Sequence, residues 1–111
     1  MEFLKDFNIA FAKGNTEFIG ESVTDDIVWN IIGDKKIVGK ETFMQVLEKM
    51  KSEEVSELVL EQILSHGKQG ATNGTIKMLN GKKYAFSDFY RFKGAKGVKL
   101  KSITSYVMEL F

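Results

Sequence analysis

Apolar residues recur at helical spacing over the first dozen positions, and Phe3, Phe7, Ala10 and Phe11 fall on one face. Lys13 in the last turn and Gly14 just beyond it predict the end of this helix, because glycine takes the left-handed conformation of a helix cap without steric penalty. Asn15 is then placed to cap a second, short helix, with Glu17 in its first turn and Phe18 and Ile19 facing inward. From Asp26 to Ile32 the pattern changes to β-branched and aromatic residues, which predicts a short strand. Gly33-Asp34 turns the chain, and Lys36 to Val38 can pair back as a second strand. Gly39 opens a third helix in which Phe43, Leu47 and Met50 form one stripe, flanked by Met44.

The remainder reads as strand and turn. Segments near 55–66, 70–79, 82–93 and 97–109 are separated by Gly67 to Gly70, Asn80-Gly81 and Gly94 to Gly97. Asn-Gly is a strong hairpin signal when both turn residues adopt positive φ, so an antiparallel meander is expected. Twelve extended residues span ~40 Å at ~3.3 Å each, more than the roughly 35 Å diameter of a compact domain this size. The strands must therefore twist and bend, and Gly70 and Gly74 are natural places to do so. A sheet curved over three helices encloses a concave apolar interior suited to a ligand.

Alternation divides the segment 82–93 into two sets. Tyr84, Phe86, Asp88, Tyr90 and Phe92 share one face, and Lys83, Ala85, Ser87, Phe89 and Arg91 share the other. The first set is aromatic and should face inward, with Asp88 as its one carboxylate. Burial disfavours the charged form, so Asp88 either becomes a neutral hydrogen-bond donor in a pocket or is satisfied structurally by a bulge, a Lys or a Tyr hydroxyl. Trp29 fills the core or the pocket wall beside Ile27 and Ile31, with an indole N–H within reach of a ligand. Asn30 points outward beside Val28. Tyr106, in phase with Ser102 and Thr104, lines either the pocket or a dimer surface. His66 directly precedes Gly67 and reads as a solvated turn residue.

Composition narrows the field. In 111 residues, 16 Lys+Arg and 15 Asp+Glu leave a formal net charge of +1, which gives no basic excess for nucleic acid. Lys93, Lys96, Lys99 and Lys101 form the densest basic patch, read as a solvated hairpin tip. There are no cysteines, so disulfides, thiolate metal sites and cysteine nucleophiles are excluded. A lone His without clustered carboxylates makes no metal site. No Walker, dinucleotide or Gly-x-Ser-x-Gly pattern occurs, and no cofactor is expected. No apolar run approaches the ~18 residues of a membrane span, and the acidic, amphipathic N-terminus is unlike a secretory signal, so cytoplasmic residence is the default.

The order helix, helix, short hairpin, helix, four long strands, with "FNIAFAKGNTEFI", "TDDIVWNIIGDKKIVGKETF" and "FSDFYRFKGAKGVKLKSITSY", resembles the nuclear transport factor 2-like superfamily across nearly the whole chain. That superfamily includes ketosteroid isomerases, limonene epoxide hydrolases and SnoaL-like polyketide cyclases. The resemblance implies an α+β, cystatin-like cone: three N-terminal helices on a strongly curved mixed or antiparallel sheet of about six strands, as one domain over 1–111. It also places Asp88 where the isomerases carry a neutral oxyanion-hole aspartic acid, whose raised pKa is a familiar case of a carboxyl kept neutral by an apolar site. The helix-one tyrosine of that site corresponds to Phe7, and the general base to Ile31 or Asn30, so the isomerase machinery is incomplete. An Asp-Arg-Asp constellation for epoxide hydrolysis is missing too, since Arg91 lies on the opposite face from Asp88.

The expectation is a protein that binds a small, mostly apolar molecule in the cone, with Phe7, Phe11, Trp29, Ile31, Phe86, Tyr90 and Tyr106 as ligand-binding residues and Asp88 as the candidate catalytic group. An enzyme using Asp88 as sole acid/base is the second reading. The third is a homodimeric interaction module, with Ile63, Phe89, Ile103 and Val107 on the outer sheet face. Neither a nucleic acid nor a membrane is expected as a partner.

Overall fold

The computed structural model describes residues 2–94 and 99–111. Lys96 of the basic patch, and Gly97 of the last turn, lie outside the described residues. Helix α1 spans Glu2–Lys13 and α2 spans Thr16–Glu21. Strands β1 (Val23–Ile31) and β2 (Lys35–Val38) precede helix α3 (Lys40–Met50). Four long strands follow: β3 (Val55–His66), β4 (Gln69–Met78), β5 (Lys83–Phe92) and β6 (Leu100–Leu110). They form one curved six-stranded sheet in the order β2-β1-β6-β5-β4-β3. Every neighbouring pair is antiparallel except β1 and β6, whose parallel pairing joins the first and last strands and makes the sheet mixed.

Local chemistry explains the helix ends. Gly14 sits at φ 70°. Its N–H donates to Phe11 O at 3.2 Å while the N–H of Asn15 reaches Ala10 O at 2.8 Å. This pair of bonds is the Schellman closure, which needs a residue tolerant of positive φ. Asn15 then turns its Oδ1 to accept from Phe18 N at 3.2 Å, capping α2. Gly39, at φ 89°, precedes α3 without a side-chain cap. Its N–H donates instead to Ile27 O at 2.8 Å, tying the start of α3 to β1.

The Asn80-Gly81 turn differs from expectation. Only Gly81 has positive φ, at 94°. The Gly81 N–H donates to Met78 O, the Met78 N–H to Lys82 O, and the Lys82 N–H to Asn80 Oδ1. That is a longer loop with one left-handed glycine, and the Asn side chain, not its backbone, does the turning.

The expected bending appears as register slips in β3, between Val55 and Glu57 and between Leu60 and Gln62. Gly74 pairs with Leu60 at the second slip. A Cβ there would overlap the Val59 carbonyl oxygen and lie 3.0 Å from its carbon. Glycine therefore lets β3 fold inward over β4. The slip also reverses which side chains face in. Ile63, expected on the outer face, packs against the core instead.

Helix α1 packs on β3 and α3 on β1, with α2 joining the two helices. The core is aromatic at its centre: Phe3 meets Phe92 at 5.9 Å between ring centroids, Phe7 meets Tyr90 at 6.1 Å, and Trp29 meets Phe43 at 5.7 Å. Leu4, Ile27, Phe92 and Leu100 are fully or almost fully buried. Among the described residues no helix is long and apolar enough to cross a membrane.

Candidate functional site

A cavity of about 1080 Å³ opens between the helices and the concave sheet face. Six of the seven residues expected to contact a ligand stand along it: Phe7 and Phe11 from α1, Trp29 and Ile31 from β1, and Phe86 and Tyr90 from β5. Asp88 lies on the same wall. Phe92, also on the inward set of β5, is sealed in the core at 1% exposure and does not reach the cavity.

Tyr106 is a correction. It is 48% exposed and stacks edge-on against Phe89, at 6.0 Å between centroids, on the outer face. In β6 the inward set is Ile103, Ser105 and Val107, all on the cavity wall, and Tyr106 belongs to the alternate set. Ile103 and Val107 are thereby also moved from the outer face to the inner one. Phe89, at 51% exposure, is the one member of the expected outer patch that stays there.

The polar end of the cavity is built from residues on five elements. Tyr90 Oη donates to Asp88 Oδ2 at 3.3 Å. Asn8 of α1 donates Nδ2 to Tyr90 Oη at 3.1 Å and to Leu4 O at 2.8 Å. Thr72 Oγ1 of β4 lies 2.9 Å from the same phenol oxygen. Ser105 of β6 pairs across from Asp88, and the Trp29 indole N–H donates to Ser105 Oγ at 2.9 Å. The indole donor is thus spent inside the protein, not held out for a ligand.

Burial of Asp88 raises its carboxyl above the ordinary range, and hydrogen bonds from Ser105 and Tyr90 oppose the shift without cancelling it. Tyr90 is pushed up as well, first by burial and then by the negative charge of Asp88, so its phenol is neutral. Among the described residues no charged group bears on Asp88, and desolvation biases this carboxyl toward the neutral acid.

Sequence reasoning missed Asn8, Thr72 and Ser105. Asn8 lies one turn from Leu4 on the apolar stripe of α1, and Thr72 pairs with Asp88. Ser105 was legible only once the inward set of β6 was known. His66 pairs with Gln69 in the β3–β4 hairpin and is exposed, as expected for a turn-flanking residue. Arg91, the only arginine in the chain, is exposed on the outer set of β5. Among the described residues no group of three His, Cys, Asp or Glu side chains is arranged to hold a metal.

No protein-family model matches the chain, and no curated protein sequence does. Solved structures do. A protein of unknown function from Cytophaga hutchinsonii, described as NTF2-like, is 23% identical over 96% of this chain and 97% of its own, with a TM-score of 0.75. An LEH-like epoxide hydrolase of M. tuberculosis is 15% identical over 97% of this chain and 81% of its own, with a TM-score of 0.82. A putative SnoaL-like polyketide cyclase from Shewanella denitrificans is 11% identical over 96% and 88%, with a TM-score of 0.80. The chain therefore has the NTF2-like, α+β cone fold expected from its sequence. That fold carries both enzymes and proteins of unknown function.

Proposed function

We propose that this protein binds a small, mostly apolar molecule bearing one polar group, which is seated at Asp88 and Ser105. The observation that carries this reading is the cavity itself: about 1080 Å³, walled in its depth by aromatic and aliphatic side chains, with one half-buried carboxyl among them. Pockets that hold small molecules combine a large apolar lining with a few placed polar groups. Thermal-shift screening with steroid-, polyketide- and terpene-like compounds tests it. A ligand at a hundred times its Kd stabilises the fold by about 2.7 kcal/mol, an increment easily read as a rise in Tm. Phe86→Trp, which adds bulk to the cavity wall, should change which compounds give that rise. A panel without any shift, or one whose ranking Phe86→Trp leaves untouched, overturns the proposal.

A second reading, an acid/base enzyme, is favoured by the raised carboxyl of Asp88. A single neutral acid can protonate or polarise a substrate whose own acidity makes a partner base unnecessary. Asp88→Asn should then abolish turnover while leaving the melting curve cooperative; undiminished turnover excludes the role.

The outer sheet face supports a further reading, a homodimer. Phe89, Tyr106 and Met108 stand exposed there beside the uncharged Ser87 and Thr104. A second copy, with a net charge of only +1, meets little repulsion on such a face. Light scattering should give twice the chain mass, and Phe89→Glu should halve it; a monomer at all concentrations sinks this reading.

A further inference from the structure

The hydrogen bonds at the polar end of the cavity specify more than the presence of an acid. Asn8 Nδ2 faces the Leu4 carbonyl, an obligatory acceptor, so the amide nitrogen is fixed there and its second hydrogen points at Tyr90. A phenol has one proton and two lone pairs. Asn8 fills one lone pair, and the Thr72 hydroxyl, free to donate or accept, fills the other when it donates. The phenol proton is left for Asp88 Oδ2. On the opposite side an indole N–H can only donate, so Trp29 occupies a lone pair of Ser105 and leaves that hydroxyl its own hydrogen. Asp88 thus stands between two hydroxyls, each aimed by a group that can only donate to it.

We propose that Tyr90 and Ser105, oriented by Asn8 and Trp29, make Asp88 a two-state selector of the ligand's polar group. As the neutral acid it carries its proton on Oδ1, the oxygen not engaged by Tyr90, and the cavity takes an apolar molecule with an acceptor such as a carbonyl or ether oxygen. As the carboxylate it accepts from both hydroxyls and has room only for further donors, so the cavity takes an apolar ammonium. The inference rests on the reading of the cavity as a ligand site. Tyr90 acts here as a positioning residue, through Asp88.

The groups packed around Asp88 leave its titration to burial and these hydroxyls. Helix α1 contributes Phe7, Asn8 and Phe11; β1 contributes Trp29; β4 contributes Thr72; and β6 contributes Ser105. Tyr90 faces it from β5 as a neutral phenol, and Tyr84 stands further along the same wall. The charged residues of the cavity wall, Lys13 on α1, Asp34 and Lys35 around the β1–β2 turn, Lys51, Glu53 and Glu54 after α3, and Lys82 before β5, are all exposed and act through water. His66 is not on the cavity wall.

Two probes of matched skeleton test the selector: 2-acetonaphthone, neutral throughout, and 1-(2-naphthyl)ethylamine, cationic throughout the range. Titration calorimetry from pH 4 to 8 should show the ketone weakening by about tenfold or more as Asp88 ionises, and the amine strengthening by a similar factor, as expected for one charge-assisted hydrogen bond. Tyr90→Phe removes a donor to the carboxylate and should move the crossover to higher pH with both probes still bound. Thr72→Val, which loosens the phenol without touching the acid, should move it the same way by less. Asp88→Asn should hold the ketone with no pH dependence and lose the amine's gain. Both probes bound with flat pH profiles, or a crossover that neither variant moves, overturns the selector alone. Binding of neither probe, nor of naphthalene, at any pH overturns the ligand site and the selector together.

Discussion

Replacing Gly74 with alanine strikes the point where the sheet folds over itself. The added Cβ would overlap the Val59 carbonyl oxygen, lie 3.0 Å from that carbonyl carbon and sit 3.1 Å from Leu60 Cα. All three atoms are backbone of the bulged strand, so no rotamer change gives relief. β3 must move off β4 near the Leu60–Gly74 pair. Losing two or three ladder hydrogen bonds at about 1 kcal/mol net each, with about 1–3 kcal/mol of overpacking strain, gives a loss of about 3–6 kcal/mol. Against a total stability of about 5–15 kcal/mol this is severe, and at about 4 °C per kcal/mol it lowers Tm by about 12–24 °C. Gly70→Ala is the control. Its Cβ meets Leu4 Cδ1 at 2.8 Å, the end of a side chain, with Leu64 O and Phe92 Cε2 at 3.3 Å. Its cost should be about 1 kcal/mol. Urea and thermal unfolding followed by circular dichroism would rank the two. A Gly74→Ala protein within about 0.5 kcal/mol of wild type, or less affected than Gly70→Ala, refutes the account of how the cone is bent.

Two other outcomes follow from the same structure. The folded pKa of Asp88 lies above its unfolded value, so this residue's contribution is fully present below pH ~3.9 and is lost as pH rises through the folded pKa. The wild-type minus Asp88→Asn stability difference, from urea melts at pH 3 to 8, should therefore fall with pH; a flat difference means the carboxyl is solvated in the folded state. Asn15→Ala removes the acceptor that caps α2 and should cost about 1 kcal/mol in the same melts, and a change within error would show that the cap contributes nothing.

Much of this architecture is legible in the residue order because local signals agree with the tertiary demand. Gly14 and Asn15 punctuate α1 and α2 as their chemistry requires, and the aromatic alternation of β5 fixes its inward face around Asp88. The failures have separate physical sources. Glu61 is the extra residue of a bulge in β3, and alternation beyond it runs in the opposite phase, so Ile63 turns inward. In β6 both alternate sets contain apolar residues, and pairing with β1 decides between them. Three hydroxyls in the set Ser102, Thr104, Tyr106 and Met108 were the available sign that this set faces out. Asn8 and Thr72 escaped notice because a single polar residue within an apolar stripe gains meaning only when the phenol that it serves is located.

The parallel pairing of β1 with β6 has a consequence for biosynthesis. Residues 23–31 cannot complete their ladder until Leu100 to Ser105 have left the ribosome, while β3, β4 and β5 can zip together as they emerge. The edge of β1 that faces β6 thus waits unpaired through most of translation, while β2 and α3 already cover its other side. Nascent chains stalled before Leu100 should exchange the β6-facing amide hydrogens of 23–31 faster than those of 69–92; equal protection of both would show that this edge finds shelter without its late partner.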